Sequence, residues 1–182
     1  MMSKKIGIIA GSLRKDAYTK SIAQAMAGLF PKGWEMNMID IGHLPLFNQD
    51  DEEDGQTPDS YTQFRQQVAQ QDGFVFVTPE YNRSIPAALK NALDIASRPY
   101  GESQWAGKPA AIISATPGRL GGFGASQHLR QILMFLDMPQ VLQPEVYLPG
   151  VHDMLDEQGA LTNPDIRALL QQLADALVAM LA

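Results

Sequence analysis

A group of hydroxyl and cationic side chains follows the first short apolar run of the chain. The run ends at Gly11, and the guanidinium of Arg14 lies among three hydroxyl groups, those of Ser12, Thr19 and Ser21. A helix is predicted to begin at Thr19, and the free N–H groups and dipole of a helix N-terminus favour an anion. Hydroxyl donors, a bidentate guanidinium and helix amides together suit a terminal monophosphate. The pattern therefore predicts a phosphate-binding loop, with an ordinary solvated connection as the alternative.

The two common glycine-rich nucleotide signatures are missing from this loop. It lacks G-x-x-x-x-G-K-[ST], which holds nucleoside triphosphates, and G-x-G-x-x-G, which holds dinucleotides. A partial match begins at Gly122, but Gln127 occupies the position of its third glycine, so we discount it. The predicted phosphate site is therefore of neither type.

A second loop, PEYNRSIP, follows the apolar run at residues 73–78 and is bounded by Pro79 and Pro86. Proline fixes the backbone at both ends of the loop. Tyr81 offers a flat face and Asn82 offers both a donor and an acceptor, which suit a planar heterocycle with carbonyl groups and ring nitrogens. The alternative is a structural turn in which Tyr81 packs locally and Asn82 caps the next helix. The residues alone leave both interpretations open.

A third loop begins at Ser114 and is rich in glycine, which lets a backbone approach a ligand closely. Arg119 in this loop could attract an incoming phosphate, or it could be an ordinary surface arginine.

Apolar runs and amphipathic segments alternate along the chain, which predicts a parallel α/β sheet in a single domain over residues 1–182. The predicted strands are residues 5–10, 34–41, 73–78, 108–115 and 141–148. The predicted helices are residues 19–30, 60–71, 87–96, 125–136 and 164 to nearly 182. Ligands of such sheets bind beyond the carboxyl ends of the strands. Because the three loops follow the first, third and fourth strands, we expect them to converge on one site.

The acidic run at residues 50–54 is a further candidate for chemistry. Its five acidic residues are consecutive, whereas a calcium loop spaces its ligands at alternate positions. The run is therefore interpreted as a solvated, flexible loop.

The amino-acid composition argues against several classes of function. The 182 residues include 14 Lys and Arg against 20 Asp and Glu, and no basic patch stands out, so we expect no nucleic acid partner. The chain has no cysteine, which excludes disulfides and thiolate catalysis and fits a cytoplasmic location. The three histidines are far apart in sequence, so no metal site is expected. Neither a signal peptide nor a membrane span is predicted.

Two segments together resemble the NADPH-dependent FMN reductase family, and most of all its branch of bacterial quinone, chromate and azo-dye reductases. They are GSLRKDAYTK at residues 11–20 and PEYNRSIPAALKNALDIASR at residues 79–98, and HLRQILMFLDMP at residues 128–139 is in keeping. The similarity runs from Lys5 to about Pro149. It implies a flavodoxin-like three-layer sandwich with strand order 2-1-3-4-5 and helices on both faces. It also implies non-covalent FMN, NADPH or NADH as co-substrate, and a homodimer or homotetramer.

The resemblance also implies three groups of cofactor-binding residues. The FMN phosphate would be held by Ser12, Arg14, Thr19, Lys20 and Ser21. The isoalloxazine ring would be bordered by Pro79, Glu80, Tyr81 and Asn82. Its other edge would be covered by Ser114, Thr116, Pro117 and Gly118. The chain departs from the family at Thr19, where Asn or Ser is common, and at residues 116–119.

The mechanism that the resemblance implies is ping-pong. Hydride passes from the nicotinamide to the flavin, and two electrons then pass to a small-molecule acceptor such as a quinone, chromate, an azo dye or free flavin. The flavin carries the chemistry, so no side chain is assigned as a catalytic acid or base. A second subunit would be expected to cover the open side of the site. The helix over residues 125–136 and the residues just after it offer side chains for that interface: Gln127, His128, Arg130, Ile132, Met134, Phe135, Leu136 and Met138. An ordinary helix that faces the core explains the apolar members of this set equally well.

Two other functions remain open on the residues. One is a flavodoxin-type electron carrier without its own turnover, and the other is a protein of the same fold that binds a nucleotide or phosphoester other than a flavin. Electron carriers normally hold phosphate with hydroxyl groups and no arginine, so Arg14 favours the enzyme.

Overall fold

A five-stranded parallel sheet lies between two layers of helices in the computed structural model, which describes residues 3–53 and 55–182. The strand order is β2-β1-β3-β4-β5, as predicted. The strands are β1 (Lys5–Ala10), β2 (Glu35–Met38), β3 (Gly73–Thr78), β4 (Ala110–Thr116) and β5 (Val146–Pro149). The helices are α1 (Tyr18–Ala27), α2 (Asp50–Glu53), α3 (Asp59–Ala69), α4 (Ala87–Ala96), α5 (Phe123–Phe135) and α6 (Pro164–Met180). A short 3₁₀ helix spans Val151–Met154.

Both faces of the sheet are buried, because successive side chains of a strand point to opposite faces. In β3, Phe74 and Phe76 pack with α3, α4 and α5, while Val75 and Val77 pack with α1 and α6. All six residues of β3 are buried. The unbroken apolar run that predicted this strand is therefore explained by two hydrophobic cores, one on each face.

The aromatic core beneath α3 and α4 requires a glycine in the neighbouring strand. The ring of Phe74 packs edge-on against Trp105, with centroids 5.0 Å apart, and Trp105 Nε1 donates to Leu93 O at 3.0 Å. A Cβ at Gly7 of β1 would lie 2.5 Å from the Phe74 ring. Gly7 therefore provides the space that Phe74 occupies.

The two edge strands are shorter than predicted. β2 covers only Glu35–Met38 of the predicted 34–41, and β5 begins at Val146 rather than at residue 141. Pro144 lies just before β5, and a proline has no N–H to donate to a sheet. Val141 N nevertheless donates to Ala110 O at 2.9 Å, so the predicted strand is hydrogen-bonded to β4 at its first residue.

The acidic run is more ordered than expected. Asp50–Glu53 form the short helix α2, and the mostly buried Glu52 forms an ion pair with the mostly buried Arg65 of α3. Arg65 also donates from Nε to Ile95 O at 2.9 Å. The expectation of a loop is therefore wrong for these four residues, which are helical, although Asp50 and Glu53 are exposed to solvent as predicted. Residue 54 lies outside the described part of the chain.

Across the described residues, none of the helices combines the length and the apolar character needed to cross a membrane.

Candidate functional site

The loops after β1, β3 and β4 meet around one cavity of about 250 Å³. These three strands are neighbours in a parallel sheet, so their carboxyl ends lie side by side. The lining residues are Ser12, Arg14, Ala17, Tyr18, Thr19, Pro79, Glu80, Tyr81, Ala115, Thr116 and Pro117. The predicted convergence of the three loops is thus what the fold produces.

The first loop presents hydrogen-bond donors that the protein itself does not satisfy. The residue that precedes α1 is Ala17, which has no side-chain acceptor, so no side chain caps the first turn. Thr19 is only 2% exposed, and its buried hydroxyl has no partner among the described residues. Buried polar groups nearly always have a partner. The orphaned hydroxyl, the uncapped turn and the nearby Arg14 therefore fit an anionic ligand.

The second loop is a tight turn over residues 81–84. Tyr81 and Ser84 exchange two backbone hydrogen bonds of 2.9 Å, and the central residues Asn82 (φ 50°) and Arg83 (φ 68°) are both left-handed. This is the geometry of a type I′ turn. It leaves Tyr81 half-exposed at the edge of the cavity. Asn82 does not cap α4, because the residue in the cap position is Pro86.

Glu80 joins the second loop to α5. Its side chain is 11% exposed, and its Oε2 accepts a hydrogen bond from Ala125 N at 3.0 Å. Its Oε1 accepts from Arg83 Nη1 at 3.1 Å. Both carboxylate oxygens of Glu80 therefore have partners within the protein.

The third loop folds back against the end of β4. The buried hydroxyl of Ser114 donates to Gly121 O at 2.7 Å, and Thr116 Oγ1 donates to Gly118 O at 3.2 Å. Gly122 is left-handed (φ 81°), and a Cβ there would lie 2.8 Å from Ser114 Cβ. Ser114 thus holds the loop, while Thr116 lines the cavity.

Five of the predicted site residues lie beside the cavity rather than in its lining. Lys20 lines a neighbouring cavity of about 530 Å³, which also reaches Ser12. Ser21 faces Gly159, where an added Cβ would lie 2.9 Å from the Ser21 hydroxyl oxygen. The others are Asn82, Ser114 and Gly118.

The family model described as NADPH-dependent FMN reductase matches residues 4–153. The chain belongs to this family.

Relatives of the FMN reductase support the assignment over nearly the whole chain. A quinone reductase from Pseudomonas putida is 45% identical over 170 residues, which are 93% of this chain and 90% of the relative. A 2-hydroxy-1,4-benzoquinone reductase from a Burkholderia species is 44% identical over 174 residues, or 96% and 94% of the two chains. The structure of FerB, a flavoenzyme NAD(P)H:(acceptor) oxidoreductase from Paracoccus denitrificans, superposes with a TM-score of 0.89 at 33% identity and covers 98% and 97%.

These comparisons confirm the predicted family and the flavodoxin-like fold. They also confirm that the chain is an oxidoreductase with FMN as cofactor and NAD(P)H as reductant.

Sequence reasoning missed two residues that line the reductase cavity, namely Ala17 and Tyr18, whereas Ala115 lies within the predicted stretch from Ser114 to Gly118. Tyr18 is the first residue of α1, and its ring centroid lies 6.4 Å from that of His152. The sequence pattern places the start of the helix one residue later, at Thr19, and therefore puts Tyr18 in the loop. An aromatic residue directly before a predicted phosphate-binding hydroxyl was the available signal.

The perturbed titratable groups of the reductase lie outside the cavity. Burial raises the pKa of Tyr61 and of Tyr147 and lowers the pKa of Lys108, and none of these three residues lines the cavity. Within residues 3–53 and 55–182, no group of three or more His, Asp or Glu side chains is placed to hold a metal ion.

Only part of the expected interface set, on α5 and in the residues just after it, is accessible. Met134 is 70% and Phe135 is 86% exposed, whereas Leu136 and Met138 are buried in the core. Two large apolar side chains therefore stand on the surface at the end of α5.

Proposed function

We propose that the three-loop cavity binds FMN and that the protein uses it to pass electrons from NADPH to a quinone in a ping-pong cycle. The observation that carries the proposal is the buried, unpartnered hydroxyl of Thr19 in the uncapped first turn of α1, close to Arg14. A phosphate supplies the acceptors that these donors lack.

In this proposal, the first loop holds the phosphate. Ser12 and Thr19 line the cavity and carry hydroxyl groups, and Arg14 offers a guanidinium that can bind two phosphate oxygens. Lys20 and Ser21 lie in the first turns of α1 and add a positive charge and a further hydroxyl. These groups offset the charge of the phosphate where the helix dipole also favours an anion.

The other two loops border the ring. Pro79, Tyr81, Thr116 and Pro117 face it from the lining, and their loops are stiffened by the prolines. Glu80, Ser114 and Gly118 take part in the hydrogen bonds that hold these loops, and Asn82 occupies a left-handed position of the turn. When bound, FMN would supply the hydride acceptor and the two-electron donor of the reaction. The protein contributes position and a fixed polar environment rather than an acid or a base.

A shared binding face explains the ping-pong order. The named relatives reduce quinones, and a quinone and a nicotinamide are both flat rings that must approach the same reactive part of the cofactor. They must therefore bind in turn. NADPH is favoured over NADH by the exposed Arg83 and Arg119, which lie in the two ring-side loops and can attract the extra phosphate.

We further propose that the protein forms a homodimer or homotetramer through the end of α5, where Met134 and Phe135 are exposed. Sedimentation analysis of the wild type and of Phe135→Ser tests this, since loss of an apolar anchor should shift the protein toward monomer. We place the reaction in the cytoplasm, where NADPH is supplied.

The test of the function is kinetic. Protein reconstituted with FMN is mixed with NADPH alone under anaerobic conditions, and a quinone is added in a second mixing step. We expect the bound flavin to bleach in the first step and to recover its colour in the second. Flavin that stays oxidised with NADPH would indicate an electron carrier, and a protein that takes up no FMN would indicate a different ligand.

A further inference from the structure

We propose that Glu80 is a positioning residue whose carboxylate caps α5 and thereby fixes the turn that carries Tyr81 at the ring side of the cavity. The proposal rests on the proposed function, because the ring is that of FMN, but the cap itself is a property of the protein without cofactor. In this role, Glu80 affects how tightly the protein binds the isoalloxazine ring and not how tightly it binds the phosphate.

The capping contact joins distant parts of the chain. Helix α5 is 13 residues long and begins after Gly122, which is left-handed and has no side chain to satisfy the first turn. Glu80 Oε2 accepts from Ala125 N at 3.0 Å across 45 positions of sequence. A carboxylate at a helix N-terminus satisfies an orphan N–H group and interacts favourably with the helix dipole. Because the side chain is almost buried, water competes little for this contact.

Gly124 lets the turn approach the helix. A Cβ at this position would lie 2.9 Å from Glu80 Oε2 and 3.0 Å from Arg83 O. Real Cβ atoms do not approach other atoms so closely, so a larger residue would push the turn away from α5. The same contact can therefore be disturbed from either side, at Glu80 or at Gly124.

The turn needs an external support because its own backbone is strained. Asn82 and Arg83 are both left-handed, a conformation that Asn tolerates and Arg adopts rarely. Glu80 holds the side chain of Arg83 at 3.1 Å, and the Ser84 hydroxyl lies 3.0 Å from His128 Nδ1 of α5. The turn is therefore anchored to α5 on both sides of its strained centre.

This arrangement separates two parts of the cofactor site. The phosphate loop lies before α1, whereas Tyr81 depends on α5 through Glu80. Riboflavin has the ring of FMN without the phosphate, so it reports on the ring side alone. Loss of the anchor should weaken riboflavin and FMN by the same factor.

The experiment compares three variants with the wild type: Glu80→Ala, Glu80→Gln and Gly124→Ala. The control is Glu102→Ala, which changes an exposed glutamate. Hydrogen exchange is measured on the protein without cofactor, and riboflavin and FMN affinities are measured by flavin fluorescence. We expect Glu80→Ala and Gly124→Ala to speed exchange of the Ala125 amide and to weaken both ligands by about tenfold. Glu80→Gln keeps an oxygen acceptor for Ala125 N–H and should stay within about twofold of the wild type.

Three results would overturn the proposal. Unchanged Ala125 exchange in Glu80→Ala would show that the cap is absent. If Glu80→Gln weakens binding of both flavins as much as Glu80→Ala does, the negative charge of Glu80, and not its cap on α5, is responsible for the effect. Weaker FMN with unchanged riboflavin would place Glu80 at the phosphate.

If Glu80→Ala does not fold, Glu80→Asp shortens the side chain by one methylene, and the same expectations apply to it. If the wild type binds neither flavin, both the proposed function and the ring-side role of Glu80 are refuted. The exchange data would still show whether Glu80 caps α5.

Discussion

The Ser114 hydroxyl donates to Gly121 O at 2.7 Å, and this buried hydrogen bond joins the end of β4 to the return of the third loop. Gly122 follows with no side chain, in the space where a Cβ would contact Ser114. The strand end and the loop are therefore fitted to each other over the cavity, and Thr116 lies between them in the lining.

Ser114→Ala should destabilise the protein without cofactor by about 1–3 kcal/mol, because it leaves the buried Gly121 carbonyl without its donor. Urea denaturation measures the loss. Ser97→Ala is the matched control, since the Ser97 hydroxyl bonds only to Asp94 O in the last turn of α4, at 2.7 Å. Equal losses in the two variants would contradict a special role for the Ser114 contact.

Arg14→Ala should weaken FMN binding by about 10- to 140-fold, which corresponds to about 1.5–3 kcal/mol for a charge-assisted contact. Riboflavin binding should be unchanged, because riboflavin has no phosphate. Equilibrium fluorescence titration with both ligands gives the comparison. Lys15→Ala controls for positive charge, since Lys15 is in the same loop but does not line the cavity. If FMN affinity is unchanged in Arg14→Ala, the phosphate is assigned to the wrong loop.

The central elements of the fold could be predicted from sequence with their bounds. β3 (Gly73–Thr78) and α4 (Ala87–Ala96) match the prediction because a continuous apolar run and a proline-bounded amphipathic segment signal them locally. The start of β5 could not be placed, because residues 141–145 lie next to the sheet and bond to it at Val141 N, yet the strand itself begins only after Pro144. The helix Asp50–Glu53 was missed because its ion pair with Arg65 is a tertiary contact.

In the candidate site, too, local features could be predicted and tertiary contacts could not. The local sequence shows which side chains the three loops carry, and the strand order predicts that the loops converge. The roles of Glu80 and Ser114 do not, because each depends on a partner that only the folded chain brings close, Ala125 and Gly121.

Thr19→Val should have opposite effects on the free and the bound protein. In the protein without cofactor, the buried hydroxyl has no partner, so its replacement by a methyl group should leave the free energy of unfolding equal or raise it. FMN binding should weaken by about tenfold, because a hydrogen bond to a charged phosphate is lost. Thermal unfolding without FMN and fluorescence titration with FMN measure the two effects.

Thr78→Val provides the contrast for this prediction. Thr78 is also buried, but its hydroxyl donates to Pro79 O at 2.8 Å, so the same substitution should lower stability and change FMN affinity less. A Thr19→Val protein that loses stability as Thr78→Val does would mean that the Thr19 hydroxyl has a partner in the folded protein.

Stability should fall at alkaline pH, in part through Tyr61. This residue is fully buried and donates to Leu46 O at 2.7 Å, and its burial raises its pKa above the ordinary value of 10.0. Above pH 10 the unfolded chain releases the Tyr61 proton while the folded protein keeps it. The contribution of Tyr61 is therefore fully present below pH 10 and is lost as the pH rises toward the pKa of the folded state.

Tyr61→Phe cannot ionise at this position, so its free energy of unfolding should decline less steeply above pH 10 than that of the wild type. At neutral pH the variant should be less stable by about 1 kcal/mol, because the bond to Leu46 is lost. Lys108, whose pKa burial lowers, acts in the opposite direction near the same pH, but its contribution is common to both proteins and cancels in the comparison. Urea denaturation across the alkaline range gives both profiles, with the exposed Tyr100→Phe as control. Parallel profiles for the wild type and Tyr61→Phe would mean that other groups cause the alkaline loss.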